Sequence, residues 1–203
     1  MLLNETTSEQ TEIKRLHLGC GHTILKDWIN LDFVAQKGVD VIANLDACAE
    51  VPLPFEDNSI EEFYGSHLIE HIQHTLPMMQ ELHRIAKPGA KANFRLPYGS
   101  SDDAFEDPTH VKQYFLQSFG YFSQPYYWRA DYGYRGDWKT DKIALLVSEE
   151  KYQHQSYQQI YEDVITKRNV VREMVVELTA IKPIREAKKE LQTRPIIDFV
   201  MVK

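Results

Sequence analysis

Short apolar runs alternate with stretches of helical periodicity between Lys14 and Pro97, and this alternation restricts the fold more than any other feature. The pattern is typical of βαβ units, in which buried parallel strands are joined by crossover helices. We expect strands near residues 15–18, 28–33, 39–45, 62–65 and 92–96, and helical segments near 68–72 and 77–85. Lys87-Pro88-Gly89 should end the second helical segment, because proline and glycine do not continue a helix. The sequence therefore predicts an α/β fold around a mostly parallel sheet.

The patterns after Pro97 are weaker. We expect helices near residues 111–122 and 157–165, and strands near 143–147, 174–178 and 196–202. The last two strands are expected to close the sheet as a hairpin. The length of 203 residues suits one domain with a full hydrophobic core.

The first predicted strand ends in Leu18-Gly19-Cys20-Gly21. Two glycines allow a sharp turn and let the backbone approach a ligand where a Cβ would collide. A dinucleotide loop needs a third glycine three positions later, but Ile24 stands there, which disfavours a bound pyrophosphate. Asp32 ends the second strand and could accept from ribose hydroxyls, the alternative being a solvated strand end. Asp46 follows the third strand and could accept from an adenine amino group, although aspartate there is more often a turn former.

Six motifs in order resemble the class I S-adenosylmethionine-dependent methyltransferases, and among them the methyltransferase 11-like group. They are Leu-His-Leu-Gly-Cys-Gly (16–21), Asn-Leu-Asp (30–32), Asn-Leu-Asp-Ala (44–47), Leu-Pro-Phe-Glu-Asp-Asn-Ser (53–59), His-Leu-Ile-Glu-His (67–71) and Arg-Ile-Ala-Lys-Pro-Gly (84–89). The resemblance covers residues 14–97. It implies a Rossmann-like, doubly wound sheet of seven mostly parallel strands with an antiparallel last strand, S-adenosylmethionine as cofactor, and methyl transfer as the activity.

The resemblance also implies a set of cofactor-binding residues. The glycine loop would face the methionine part, Asp32 the ribose, Asp46 and its neighbours the adenine, and the end of the fourth strand the amino acid group. The residues concerned are Leu18, Gly19, Cys20, Gly21, Asp32, Leu45, Asp46, Ala47, Ser66 and His67. Two positions depart from the family pattern, because His17 stands where an acidic residue is usual and Ala90 replaces a second glycine after Lys-Pro-Gly.

The chain is expected to divide accordingly. Residues 1–13 form a flexible leader and residues 14–203 the methyltransferase domain. Within that domain, 14–97 bind the cofactor, 98–140 form an aromatic lid over the substrate, and 141–203 complete the sheet.

Residues 67–71 also match the pattern His-x-x-Glu-His of a class of zinc hydrolases, in which histidines at i and i+4 of one helix bind the metal. A second interpretation is that the imidazoles cap or pack near a helix start. A third is that His71 or His67 faces the cofactor cleft and assists deprotonation of the substrate. Because the surrounding motifs account for these histidines without a metal, no metal ligand is predicted.

The segment after the fifth strand should overhang the cofactor, because ligands of open α/β sheets lie beyond the carboxyl ends of the strands. His110 is the first candidate for a catalytic base and His71 the second, since an unperturbed imidazole titrates near neutral pH. Both could instead be structural. Eleven aromatic residues between Tyr114 and Trp138 could cover the site and stack on an acceptor, or could form a satellite core or a dimer face.

The composition restricts the partners. A net charge of −7 does not provide the basic surface that nucleic acid requires. Two unpaired cysteines, Cys20 and Cys48, suit a reduced cytoplasmic protein, and no apolar run is long enough to span a bilayer. We therefore expect a cytoplasmic enzyme that methylates an O or N atom of a small molecule, a sugar or glycan precursor being one candidate. A homodimer is compatible with this sequence, whereas a zinc hydrolase and a non-catalytic cofactor-binding module remain alternatives.

Overall fold

A mixed eight-stranded sheet forms the centre of the computed structural model, which describes residues 14–203. The predicted leader, residues 1–13, lies outside the described residues. In chain order the strands are β1 (Arg15–Leu18), β2 (Ile29–Asp32), β3 (Val41–Ile42), β4 (Ile60–Ser66), β5 (Ala86–Pro97), β6 (Trp138–Ser148), β7 (Val171–Ala180) and β8 (Ile196–Val202). Across the sheet their order is β3-β2-β1-β4-β5-β7-β6-β8.

Strand directions confirm the Rossmann-like class. All neighbours from β3 to β5 run parallel, as do β6 and β8, whereas β7 is antiparallel to both β5 and β6. The sheet has eight strands rather than the expected seven. The seventh strand is the antiparallel one, and β8 is an addition at the edge.

The hairpin expected between the last two strands is wrong. One edge of β7 is paired with β5 and the other with β6, so β7 has no edge left for a further strand. The free edge belongs to β6, and β8 pairs there in parallel, with Lys142 opposite Ile196 and Ser148 opposite Val202.

The α-helices of the described residues are α1 (Thr75–Ile85), α2 (Asp103–Glu106), α3 (Glu149–Tyr152) and α4 (Tyr157–Thr166). Short 3-10 helices cover Leu45–Ala47, Ile69–His71, Ser118–Phe122, Gln124–Trp128 and Lys189–Leu191. The prediction for α4 is confirmed, and Ser156 begins this helix with a capping box to Gln159.

The helix predicted over residues 111–122 is wrong, because only its last five residues are helical. Groups that would pair within such a helix have other partners. The N–H of Phe115 donates to Ser118 Oγ at 2.8 Å, and the carbonyl of Tyr114 accepts from the N–H of Gly99 at 2.7 Å. The start of the segment is fixed to another part of the chain, because the N–H groups of Val111 and Lys112 donate to the carbonyl of Glu70 at 2.9 and 3.3 Å.

Residues 19–28, which join β1 to β2 and are all described, form turns and contain no helix. Asn30 holds this connection in place. Its side-chain N–H groups donate to the carbonyls of Leu25 and Trp28, both at 3.0 Å, and its Oδ1 accepts from the N–H of Leu25 at 2.9 Å. One buried amide thus satisfies backbone groups that a crossover helix would otherwise pair internally.

The hydrophobic core lies where α1 meets the sheet. Met79 and Leu82 of α1 are fully buried, as are Phe63 and Trp138 on the strands. The Trp138 ring contacts Phe63 edge to face at 5.7 Å between centroids, and its indole N–H donates to the carbonyl of Met79 at 2.9 Å. Burying side chains of this size stabilises the fold by about 1.5–3 kcal/mol each. No helix among the described residues combines the length and apolar character needed to cross a membrane.

We expect His83 of α1 to make folding sensitive to acid. Its side chain is buried and its Nε2 lies 3.1 Å from the carbonyl of Ile181, and burial lowers its pKa. His83 therefore binds a proton more readily in the unfolded chain than in the folded protein. The free energy of unfolding should be highest at neutral pH and should fall as the pH drops below about 6.5. His83→Gln keeps an N–H donor but does not titrate. The difference in free energy of unfolding between pH 7.5 and 5.5, from urea titration, should be smaller in this variant.

The exposed His154 provides the control for this comparison. His154→Gln should leave the pH dependence unchanged. An equal pH dependence in wild type and His83→Gln would contradict the role given to His83.

Candidate functional site

The candidate site lies at the carboxyl ends of β1, β2 and β4. β1 pairs with β2 on one side and with β4 on the other. The segment after β1 therefore runs toward β2, whereas the segment after β4 runs toward β5 on the opposite side. A crevice at such a change of strand order is where open α/β sheets bind ligands. The glycine loop follows β1, Asp32 ends β2, and Ser66 ends β4.

The glycine loop is closed by the carboxylate of Asp32. Gly21 N–H donates to Asp32 Oδ2 at 2.8 Å, and Val34 N–H donates to Asp32 Oδ1 at 2.9 Å. The side chain of Gln36 donates to the carbonyl of Gly21. Asp32 is only 6% exposed, so a ribose would have to use the remaining lone pairs of its oxygens.

The two glycines of the loop are required for different reasons. Both have positive φ, +59° at Gly19 and +49° at Gly21. A Cβ on Gly19 would lie 2.6 Å from Leu68 Cδ1, whereas a Cβ on Gly21 would have no neighbour within 4 Å. Gly19 therefore packs against the protein, and the space above Gly21 is open to a ligand.

The predicted adenine-binding residues lie on and beside the 3-10 helix Leu45–Ala47. Asn44 begins this helix by accepting from Asp46 N–H at 3.0 Å. Asp46 Oδ1 accepts from the backbone N–H of His74 at 2.8 Å, just before α1. Leu45 is buried in the core, whereas Asp46 and Ala47 are half-buried. Of the three, Asp46 and Ala47 keep surface that a ligand can reach.

His17, the departure from the family pattern, is a structural residue in the sheet. It is 2% exposed, its Nδ1 lies 3.1 Å from Asn30 Oδ1, and its ring packs on Tyr64 at 5.4 Å between centroids. Burial lowers its pKa, which favours the neutral form. His17 therefore supports Asn30 and the loop that Asn30 holds.

His67 follows β4 with a φ of +50°. Its Nε2 lies 2.7 Å from Glu173 Oε1 and its Nδ1 3.4 Å from Glu70 Oε1, and these two carboxylates, Glu70 foremost, raise the pKa of its imidazole. Arg95 pairs with the same Glu173. His67 precedes the 3-10 helix Ile69–His71 rather than sharing a helix with His71, so the i and i+4 arrangement of the zinc hydrolases is not formed by these described residues.

The two predicted catalytic histidines lie together. The rings of His71 and His110 are 4.7 Å apart between centroids, and His110 Nε2 lies 4.0 Å from Glu70 Oε1 and 3.8 Å from Asp107 Oδ2. The N–H groups of Val111 and Lys112 hold this segment on the carbonyl of Glu70. Sequence reasoning placed His71 and His110 in separate segments, and only the tertiary hydrogen bonds bring them together.

Thr109 is a site residue that sequence reasoning did not single out. Its hydroxyl donates to Asp107 Oδ1 at 2.6 Å, and its backbone N–H donates to the same oxygen at 2.8 Å. Its hydroxyl and carbonyl oxygens lie 3.0 and 3.3 Å from His71 Nδ1. The signal in the sequence is Asp107-x-Thr109, since aspartate commonly forms a turn with a backbone N–H two residues later.

A cavity of about 520 Å³ is lined by the start of α1 and by residues between Val111 and Tyr132, the segment that follows His110 in the chain. Six of the eleven rings of the aromatic segment are buried: Tyr114, Phe119, Phe122, Tyr127, Tyr134 and Trp138. Of these, Tyr114, Phe122 and Tyr127 also line the cavity. Tyr121 and Tyr132, at 57% and 72% exposure, are the rings best able to contact a ligand.

Comparison with known proteins gives the fold. No family model and no curated protein matches the sequence. A S-adenosylmethionine-dependent methyltransferase from Archaeoglobus fulgidus is 14% identical, with a TM-score of 0.50 over 83% of this chain and 87% of that one. A methyltransferase of the same description from Aquifex aeolicus is also 14% identical, with a TM-score of 0.50 over 84% of this chain and 83% of that one. The chain has the fold of these methyltransferases.

The same fold also occurs in a protein with another reaction. The [4+2]-cyclase SpnF is 12% identical, with a TM-score of 0.50 over 85% of this chain and 76% of that one. Function must therefore be argued from the residues of the site.

We expect Gly19→Ala to destabilise the protein more than Gly21→Ala. Both substitutions place a Cβ in the left-handed region, at about 1–2 kcal/mol, but only the first also drives it into Leu68, where overpacking adds about 1–3 kcal/mol. Urea unfolding of both variants measures the difference. In a Leu68→Ala background the additional cost of Gly19→Ala should shrink. Equal losses in the two single variants would contradict the packing role of Gly19.

Proposed function

We propose that this protein is a S-adenosylmethionine-dependent methyltransferase. The observation that carries the proposal is the glycine loop after β1, with positive φ at Gly19 and Gly21, closed by the carboxylate of Asp32 at the end of β2. The loop lacks the third glycine of a pyrophosphate site and leaves open space above Gly21. These features suit a single adenosyl group with a methionine tail.

The cofactor is proposed to lie across the carboxyl ends of β1, β2 and β4. Leu18, Gly19, Cys20 and Gly21 would face its methionine part, with Ser66 and His67 on the other side of that part. Asp32 would accept from the ribose, and Leu45, Asp46 and Ala47 would flank the adenine. Because His17 is neutral and buried, the ammonium group of the cofactor must be held by other acceptors, of which the carbonyls of the loop are the nearest in sequence.

The acceptor is proposed to be a small molecule bound in the cavity that Val111, the residue after His110, helps to line. In the transfer, a lone pair of an acceptor O or N atom attacks the methyl carbon as the carbon–sulfur bond breaks, leaving S-adenosylhomocysteine. A hydroxyl or protonated amine must also lose a proton. His110 is the first candidate to receive it and His71 the second, with the protein otherwise positioning the two reactants.

Tyrosine rings at the cavity suit a sugar or a glycan precursor. The acidic net charge is compatible with a cytoplasmic protein that binds no nucleic acid.

Calorimetric titration tests the cofactor assignment. Wild type should bind both S-adenosylmethionine and S-adenosylhomocysteine, and should not bind NAD. Asp32→Ala should weaken binding by at least about tenfold, the energy of one hydrogen bond to a charged group. Gly21→Ala should weaken binding because its Cβ would occupy the space proposed for the ligand. Gly89→Ala is the matched control, because Gly89 also has positive φ and open space around its Cβ but lies at the start of β5.

No binding of either adenosyl ligand by wild type would overturn the proposal. A loss of affinity in Gly89→Ala equal to that in Gly21→Ala would show that backbone strain, not ligand contact, causes the effect.

Turnover separates an enzyme from a non-catalytic cofactor-binding module. Production of S-adenosylhomocysteine is measured with a panel of hydroxyl- and amine-bearing small molecules that includes sugars. For an acceptor that needs deprotonation, His110→Ala should lower the rate by about 100-fold or more while cofactor binding is retained. Cofactor binding without turnover on any acceptor favours the non-catalytic module, and an unchanged rate in His110→Ala contradicts a catalytic role for this residue.

A further inference from the structure

Glu70 is a buried carboxylate with no hydrogen-bond partner among residues 14–203. The residue is 2% exposed, and within that part of the chain neither Oε1 nor Oε2 has a hydrogen-bonding group in suitable geometry. An ionised carboxylate so placed costs free energy unless another charge compensates it. The groups that face it are imidazoles, with His67 Nδ1 at 3.4 Å and His110 Nε2 at 4.0 Å from Oε1.

Three side chains at this point are arranged for a shared ligand. One donor atom each from Glu70, His71 and His110 lie within 4.8 Å of one another. The side chain of His110 is only 7% exposed, and its Nδ1 has no hydrogen-bond partner in the described part of the chain. Donor atoms that bind a tetrahedral ion at 2.0–2.1 Å are about 3.4 Å apart. Side-chain rotations that move the donor atoms by roughly an ångström would therefore bring the three side chains to this spacing.

The hydrogen bonds of Thr109 prepare His71 for a metal. The Thr109 hydroxyl gives its proton to Asp107 Oδ1, so toward His71 Nδ1 it can only accept, as can the Thr109 carbonyl. In its neutral form His71 therefore carries its proton on Nδ1, which leaves a lone pair on Nε2. A histidine that ligates metal commonly donates its other ring N–H to a carbonyl or carboxylate in this way.

We propose that Glu70, His71 and His110 bind one divalent transition-metal ion of the Zn²⁺ or Fe²⁺ type. Two imidazoles and one carboxylate favour these ions over Mg²⁺ and Ca²⁺, which take oxygen ligands. Three protein ligands leave coordination positions open, as in metal sites that bind a water or a substrate. The bound ion would compensate the buried carboxylate of Glu70.

The metal site deepens the proposed function without depending on cofactor binding. His110 directly precedes Val111, which lines the cavity proposed for the acceptor, so we propose that an acceptor hydroxyl or carboxylate coordinates the ion at one of its open positions. With metal bound, the ligating nitrogens of His71 and His110 could not take the acceptor's proton, so the role of base proposed above applies to the metal-free site. The ion would instead lower the pKa of a coordinated hydroxyl, whose proton would pass to solvent water. Metal titration and cofactor titration are separate measurements, so failure of one proposal is distinguishable from failure of the other.

Metal binding is tested on the full chain without a histidine tag, after treatment with a chelator. Zn²⁺ should bind at one equivalent in calorimetry, and Co²⁺ should give a visible absorption spectrum and raise the melting temperature. Glu70→Gln and His110→Ala should each lower Zn²⁺ affinity by more than about 100-fold, beyond the 10- to 100-fold typical of outer-shell changes. His154→Ala, which removes an exposed histidine elsewhere, should bind as wild type does.

Absence of stoichiometric Zn²⁺ and Co²⁺ binding by folded wild type would overturn the proposal. So would affinity for Mg²⁺ above that for Zn²⁺, or Zn²⁺ binding that His154→Ala weakens as much as Glu70→Gln does. Circular dichroism of each metal-free variant establishes that it is folded before titration.

The positioning role of Thr109 has its own test. Thr109→Val removes the hydroxyl and should lower Zn²⁺ affinity by about 10- to 100-fold at unchanged one-to-one stoichiometry. Thr109→Ser keeps the hydroxyl and should restore most of the affinity. Equal affinity in wild type and Thr109→Val would overturn this role, because a hydroxyl that orients a ligand cannot be dispensable.

Discussion

The change of strand order at β1 is the constraint on which the rest of the site depends. Because β1 shares its hydrogen bonds between β2 and β4, the chain segments that follow these strands diverge and leave a crevice at their carboxyl ends. The glycine loop, Asp32 and the segment that begins at Ser66 are all placed by this one arrangement. The chemistry of the site is therefore assembled by backbone pairing before any side chain contributes.

A network of buried polar side chains replaces the crossover helix that usually follows such a loop. Asn30 pairs the backbone of residues 25–28, and His17 supports Asn30 from the central strand. Asp32 then closes Gly21 from the other side. At the position where the methyltransferases that this sequence resembles usually have an acidic residue, the buried imidazole of His17 holds the loop through Asn30.

Most of the strands could be predicted from the sequence because a strand depends on local periodicity. The position of β8 could not, since it depends on which strand keeps a free edge after β5, β7 and β6 have paired. The segment containing His110 has an apolar pattern that resembles a helix, but the carbonyl of Tyr114 accepts from Gly99, and the N–H groups of residues 111 and 112 donate to the carbonyl of Glu70. The pairing of His71 with His110 follows from that contact between residues about 40 positions apart. Local pattern carries no information on such a contact.

Two buried carboxylates illustrate how the two halves of the site differ. Each oxygen of Asp32 accepts a backbone N–H, so this carboxylate is satisfied by the protein and organises the loop. Within residues 14–203, neither oxygen of Glu70 accepts a hydrogen bond, although Glu70 is more deeply buried than Asp32. A buried carboxylate of this kind requires compensation by nearby charges. The imidazoles around Glu70 supply part of that compensation, and a bound cation would supply the rest. The fold thus forms the Asp32 side with its own backbone groups and leaves the Glu70 side to be completed by a ligand.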